Sequence, residues 1–411
     1  MPEILITGAS VLNAENGTLE ESLDVLVVGS TIQDVGRGLR ANPDAIRINA
    51  GGRTLMPGLI DAHVHVMAAV SDHAQLAAMP PYLVAAHAQR ELAAMLRRGF
   101  TTIRDAGGAE GGLARAVDEG LFPGPRIFPS GLALSQTAGM GDFRLRPEHP
   151  QGCPTCRSRR TISRVVDGPD GIARACREEL ADGATQIKIM ASGGLSGSTP
   201  IQTTHFTTAE IEAAVEEATR AGTYVMAHAY ESAAIRRAVD AGVRTIEHGN
   251  LLDRETAAHI APHAYLVPTL TTYEASIDHQ IELGADPESL EATRRTLAAG
   301  VRGLRMCRNE GVRLGFGTDL EGAVRVRQLR EFAIRSEQES PAEILHSALV
   351  VNAEIVGRRD TLGRIAPQAA ADILVVDGNP LEDLSLFVED GAAIRVTIAQ
   401  GRLHKLDLPA S

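Results

Sequence analysis

Pro57-Gly58-Leu59-Ile60-Asp61-Ala62-His63-Val64-His65 is an apolar run that ends on two histidines spaced i, i+2. On a strand, that spacing sends both imidazoles to the same side. In a barrel of parallel strands both would face the axis near the C-terminal rim, where such barrels keep their active sites. Taken alone, the motif is equally compatible with a pair of hydrogen-bonded core histidines, so the surrounding pattern has to decide.

Downstream of Thr54, short apolar runs alternate with Ala-, Glu- and Arg-rich segments of helical period, as expected of repeated βα units. The candidate strands are Leu59 to Val66, Thr101 to Asp105, Arg126 to Pro129, Gln186 to Met190, Thr223 to Ala227, Arg244 to Glu247, Tyr265 to Thr269 and Val312 to Gly317. Eight such strands over about 260 residues predict an α/β fold, a (β/α)8 TIM barrel. Thr207 three residues before Glu210, with Ile211, Val215 and Ala218 recurring on one face, predicts a helix over Thr208 to Ala221. Strand texture without helix period marks both ends: Ile4 to Ile6, Val25 to Val28 and Ile32 to Val35 at one, Ala371 to Val376 and Ile394 to Ile398 at the other. We expect residues 1–55 and 360–411 to build one small β-sandwich domain, with the barrel at 56–359 inserted between them.

The chain has 411 residues, 44% hydrophobic and 22% charged, a globular composition. A net charge of −12 repels phosphate backbones and anionic membranes, which argues against nucleic-acid and membrane partners and for a small-molecule substrate. Met1 to Ser10 lack a cationic region followed by an apolar one, no run spans a bilayer, and four cysteines make no disulfide framework, so a cytoplasmic protein with reduced thiols is expected.

Polar residues also close later strands. His228 follows Tyr224-Val225-Met226-Ala227, His248 follows Thr245-Ile246-Glu247, and Asp319 follows Gly315-Phe316-Gly317-Thr318. Lys188 lies in Gln186-Ile187-Lys188-Ile189-Met190, where an unpaired charge would be costly to bury. Of 40 basic residues only Lys188 and Lys405 are lysines. A lysine amine, unlike a guanidinium, sheds its proton readily and reacts as a nucleophile, including with CO2 to give a carbamate. That carbamate is an anionic bidentate ligand able to bridge two cations. The alternative is a buried Lys188 paired with Asp319 or another carboxylate. Four histidines, an aspartate and a carbamate suit divalent zinc or its neighbours, and two such ions would hold a bridging hydroxide competent as a nucleophile near neutral pH.

These motifs, with the closing segment Leu362-Gly363-Arg364-Ile365 to Ala371-Asp372-Ile373-Leu374-Val375-Val376-Asp377-Gly378-Asn379-Pro380, resemble the amidohydrolase superfamily of metal-dependent hydrolases over nearly the whole chain. The resemblance implies that His63 and His65 bind the more buried metal, that Lys188 is an N6-carboxylysine bridge, that His228 and His248 bind the second metal, and that Asp319 ligates the first and shuttles protons. Within the superfamily, Lys188-Ile189-Met190-Ala191-Ser192-Gly193-Gly194 and His228-Ala229-Tyr230 are similar to the group of prolidase-like and Xaa-Arg dipeptidases, ochratoxin-type amidases and imidazolonepropionase-related proteins. The implied reaction is attack of the bridging hydroxide on the amide carbonyl of an N-acyl amino acid or dipeptide, in a homo-oligomer. Tyr230 would then donate to the developing oxyanion, or simply pack at the rim. Hydrolysis of a lactone, phosphotriester or cyclic amide in the same site is the alternative, and a non-catalytic oligomeric scaffold, which would usually have lost ligands, ranks below both.

One departure concerns substrate. Relatives usually carry a histidine where Met140 stands, and methionine cannot donate the hydrogen bond to substrate expected there. Gly131 to Val166 lacks a clear period and clusters Arg144, Arg146, Arg157, Arg159, Arg160 and Arg164, in a loop that would wall the substrate cleft. Arg144 is the candidate fork for a substrate carboxylate, against the reading of a solvated charged loop. Cys153 and Cys156, with His149 nearby, have metal-clip or redox spacing but no second pair, which favours ordinary loop thiols. His73, His87, His205, His259, His263, His279, His346 and His404 are read as ordinary.

Overall fold

The histidine-bearing run forms the strand Leu59–Val64, in a computed structural model that describes residues 3–144, 161–195, 199–282, 286–388 and 390–408. Cys153, Cys156, His149, Arg146, Arg157, Arg159 and Arg160 lie outside the described residues. Leu59–Val64, Phe100–Asp105 and Arg126–Phe128 make a three-stranded parallel sheet. A second parallel sheet of seven strands runs Ser163–Val165, Ala133–Ser135, Ile187–Met190, Val225–Glu231, Thr245–Leu251, Tyr265–Val267 and Arg313–Leu314. All eight expected strands exist, displaced at their ends by a few residues. Two were not anticipated, Ala133–Ser135 and Ser163–Val165, because three-residue strands inside a loop carry no periodicity.

Helices separate the strands, as the alternation predicts: Pro81–Arg97, Gly111–Asp118, Pro169–Ala181, Thr208–Arg220, Ser232–Asp240, Arg254–Ile260 and Pro287–Asn309 among them. Thr208–Arg220 carries the expected capping box, the Thr207 hydroxyl meeting the Glu210 amide while the Glu210 carboxylate accepts from the Thr207 amide. Its Ile211, Ala214 and Ala218 bury against Ile187 and Ile189, so Lys188 must point from the other face of that strand. The same alternation puts Ala227 and Ala229 in the helix-facing core and leaves Met226, His228 and Tyr230 for the opposite side.

The chain ends meet. Ile4–Asn13, Thr18–Val28, Thr31–Gly36, Ile46–Asn49 and Thr54–Pro57 join Ile373–Val376, Ile394–Ala399 and Arg402–Leu406 in one eight-stranded mixed sheet. Thr54–Pro57 is the seam, parallel to Ile4–Asn13 and antiparallel to Ile373–Val376. Ile4, Val25, Ile32, Val375, Val396 and Ile398 share its core. Where the sequence reading expects a sandwich, these strands are hydrogen-bonded into a single continuous sheet.

Hydrogen bonds tie the two parallel sheets together. The Ala62 amide donates to the Phe316 carbonyl at 2.8 Å. Asn352 donates to the Ile60 and Phe316 carbonyls at 2.6 and 2.8 Å and accepts from the Phe316 amide. On the far side the Thr185 amide meets Pro129 O at 2.7 Å, and Gln186 donates to Asp105 O and Phe128 O. Behind the last strand, Arg335 is fully buried, donates to Gly315 O, and holds Glu339 with two N–H groups at 2.6 and 2.9 Å. Removing one partner of such a pair strands the other charge, so Glu339→Ala should destabilise the chain by about 3–5 kcal/mol. A lowered midpoint in urea unfolding would show it, and an unchanged midpoint would mean that Arg308, Glu339's second partner, does not depend on it either.

Candidate metal centre and active site

Four histidines, Asp319 and Lys188 converge at the ends of the parallel strands. His63 Nε2 and His65 Nε2 lie 3.3 and 3.2 Å from the same oxygen, Asp319 Oδ1, and these three residues form a group able to hold a metal ion. The His248 ring lies 5.1 Å from that of His63 and 4.7 Å from that of His228, and its Nδ1 is 3.9 Å from Asp319 Oδ2. All four rings are buried.

Local backbone explains how neighbouring residues reach one place. Glu247 and His248 are consecutive, and a regular strand would point them to opposite faces. His248 instead adopts φ 75°, followed by Gly249 at φ 59°, and the pairing with Val225–Glu231 shifts register just beyond. Asp319 adopts φ 53°. Left-handed backbone is unusual for side-chain-bearing residues, and it persists only where surrounding contacts enforce it. Here Asp61 supplies such contacts: its carboxylate accepts from the His63 amide, the Thr318 hydroxyl and the Gln328 amide, while the Asp319 amide donates to His63 O. Gly317 allows the close approach, since a Cβ there would sit 2.8 Å from the His63 Cβ.

Each ring is oriented from behind. His63 Nδ1 is 2.7 Å from Glu247 Oε2, His65 Nδ1 is 3.0 Å from Gly107 O, His248 Nδ1 is 2.7 Å from Thr269 Oγ1, and His228 Nε2 is 3.1 Å from Gly193 O. Carboxylate and carbonyl partners accept a proton, so they fix the ring tautomer and turn the other nitrogen's lone pair inward. Gly107 is held in turn by Asp105, which also accepts from the Val66 and Ala109 amides. Beneath His63, Arg104 grips both oxygens of Glu247 at 2.8 and 2.9 Å.

The electrostatics follow from burial and these contacts. Burial acts against the His65 imidazolium, yet the Asp319 hydrogen bond and charge outweigh it and raise the ring to about 9. Burial also opposes ionised Asp319, and the surrounding histidines more than compensate, holding it well below the ordinary carboxylate range. Burial, helped by Lys188, takes His228 down to about 3. Lys188 itself is 1% exposed, forms no ion pair among the described residues, and is drawn down to about 8 by burial despite the pull of Glu247 and Asp319. The cluster offers N and O donors to a divalent cation, whose charge would take the place of the proton between His65 and Asp319.

The remaining expected residues surround this group. Tyr230 stacks on His248, its ring 5.2 Å away, and its hydroxyl meets that of Tyr273 at 2.9 Å. Met140 packs against Gly194, which also borders His228. Arg144 binds Asp142 with two N–H groups at 2.7 Å, so a substrate carboxylate would have to compete with Asp142 for that fork. Of the histidines read as ordinary, His73, the first residue of the helix His73–Ala78, stacks on Phe143, and His205 Nδ1 accepts from the Met140 amide. Asp61, Arg104, Asp105 and Glu247 went unnoticed in the sequence reading. A charged residue inside an apolar strand was the available signal, the same that singled out Lys188.

Similarity to known proteins agrees with this geometry. The chain is 29% identical over 393 residues to ochratoxinase of Aspergillus niger, spanning 90% of this chain and 79% of that one. It superimposes on a prolidase solved with N-methylphosphonate-L-proline at a TM-score of 0.94 and 47% identity, covering 98% of this chain and all of that one. For a Xaa-Pro dipeptidase with methionine in its active site the TM-score is 0.85 at 27% identity, over 98% of this chain and all of the other. The model of the amidohydrolase family matches residues 54–403, and the chain belongs to that family.

Proposed function

We propose that the chain is a binuclear metal-dependent hydrolase that cleaves the amide bond of a dipeptide or N-acyl amino acid. The observation that carries the proposal is Lys188, fully buried beside four histidines and Asp319 and in no ion pair among the described residues. Such an amine becomes compatible with its surroundings once converted to an anionic carbamate, N6-carboxylysine. His63, His65 and Asp319 would hold one cation, His228 and His248 the other, with Lys188 between them. Zinc suits the donor set. Two ions so held supply an acidified water and polarisation of the scissile carbonyl.

The chain's own groups do the rest. Asp319 Oδ1 faces the His63 and His65 rings, which leaves Oδ2 to accept the water's proton and pass it to the leaving amine. Tyr230, its hydroxyl beside the site and supported by Tyr273, donates to the oxygen that gains charge. Met140 and Arg144 line the substrate side, Met140 as an apolar contact and Arg144 as a carboxylate fork shared with Asp142. The hydrogen bonds on both flanks support closure of the two parallel sheets into one (β/α)8 barrel at 56–359, and the shared sheet supports a small domain from 1–55 and 360–411. The prolidase, Xaa-Pro dipeptidase and ochratoxinase relatives support an amide substrate of small size. Among the described residues no helix is long and apolar enough to cross a membrane.

The test combines metal content by plasma mass spectrometry with a substrate panel of Xaa-Pro and Xaa-Arg dipeptides, N-acyl amino acids, lactones and phosphotriesters. About two divalent ions per chain and turnover confined to the C–N substrates are expected. Turnover of lactones or phosphotriesters alone would reassign the bond, and a metal-free inactive chain would remove the centre.

A further inference from the structure

The four rings are backed unequally. Gly107 O and Gly193 O behind His65 and His228 are neutral carbonyls, and the Thr269 hydroxyl behind His248 is neutral too. Behind His63 stands a carboxylate, Glu247, with no exposure to solvent. Every oxygen of Glu247 is engaged: Oε1 by Arg104 and the Thr245 hydroxyl, Oε2 by Arg104 and His63. Arg104 is equally buried and spends its other N–H groups on Ala62 O at 2.6 Å and Thr245 Oγ1 at 2.9 Å. The guanidinium therefore keeps the buried carboxylate ionised, and Oε2 faces His63 Nδ1 as a charged acceptor.

We infer that Glu247, held by Arg104, is a positioning residue that makes the His63–His65–Asp319 half of the centre the tighter of two cation sites. The inference rests on the binuclear reading given above. An ionised acceptor on Nδ1 draws that proton toward itself, which enriches the opposite nitrogen and strengthens it as a donor; a neutral carbonyl or hydroxyl does so less. Ala62, whose carbonyl Arg104 also holds, immediately precedes His63, so one guanidinium fixes both the backbone and the ring of that ligand. Strands carrying Arg104 and Glu247 lie on opposite sides of the site, in different sheets, and the ion pair spans the interior between them.

The experiment is a Co2+ titration of the full chain, freed of metal by chelation and followed by visible absorption, with half-sites isolated by substitution. In a His248→Ala background only the His63 half is intact, and Glu247→Gln should weaken its Co2+ affinity about 10–100-fold. In a His65→Ala background the same change should leave the remaining half within about threefold. Since Glu247→Gln leaves Arg104 charged and unpaired, the double variant Arg104→Met with Glu247→Gln is measured beside it, with thermal unfolding of the metal-free chain as the control. A folded double variant should show the same selective loss. Equal weakening of both halves, or none in either, would overturn the inference while leaving a two-metal enzyme in place. Failure of the unsubstituted chain to bind Co2+ would instead overturn the binuclear reading itself.

Discussion

Lys188→Ala is expected to lower kcat/KM by about 10³-fold or more, equivalent to roughly 4 kcal/mol of transition-state stabilisation. On the proposed reading, the substitution removes the group between the His63 and His228 halves, and with it the anionic charge that would help hold a second cation. Metal content should fall below two ions per chain in the same preparation. A short carboxylate such as formate or propionate, diffusing into the space vacated by the side chain, should restore part of the activity in a concentration-dependent way. Lys188→Arg should show the same loss without recovery, because a guanidinium keeps its positive charge and cannot form a carbamate. Full activity in either variant would remove the carbamate from the mechanism.

For Asp319→Asn the expected loss is about 10²–10⁴-fold in kcat, the range for a positioned proton-transfer group. Asparagine is the informative replacement because it tolerates the left-handed φ of 53° as readily as aspartate does. The backbone corner built on Thr318, Asp61 and His63 O therefore stays in place, and the change is confined to the carboxylate. KM should move far less than kcat. Metal analysis separates two causes: a loss of activity with both ions retained assigns the defect to proton transfer, whereas a parallel loss of metal assigns it to ligation. Activity within tenfold of the parent would exclude Asp319 as the proton carrier.

How much of this could be read from the chain alone depended on the physical range of each feature. Alternation of apolar runs with helical segments exposed all eight expected strands, since most of them are buried on both faces and the pattern is local. The capping box at Thr207 and Glu210 is local too, and it stands as expected. Strand ends were less legible. Val225–Glu231 and Thr245–Leu251 both extend beyond the histidines expected to close them, because His228 and His248 remain paired to neighbours far away in sequence. The metal-ligand candidates were found by residue type at strand ends, and the structure gathers all six in one place. What sequence could not show was the support behind them. Glu247 behind His63, Asp61 under the Thr318 corner and Asn352 across two strands are contacts between residues 184, 257 and 292 positions apart. Arg144 illustrates the opposite limit: its charge was visible, but not that Asp142, two residues away, already occupies it.

The seam at Thr54–Pro57 has a consequence for synthesis. That strand is made early, yet its antiparallel neighbour Ile373–Val376 emerges about 320 residues later. At roughly 5–20 residues per second, the nascent chain spends on the order of 15–60 s with Thr54–Pro57 an open edge. Unpaired, apolar strand edges are what aggregating chains share. Yield in a cell is therefore expected to depend in part on how well the first strands are shielded while the candidate site residues, all of them encoded between the two strands, are still leaving the ribosome.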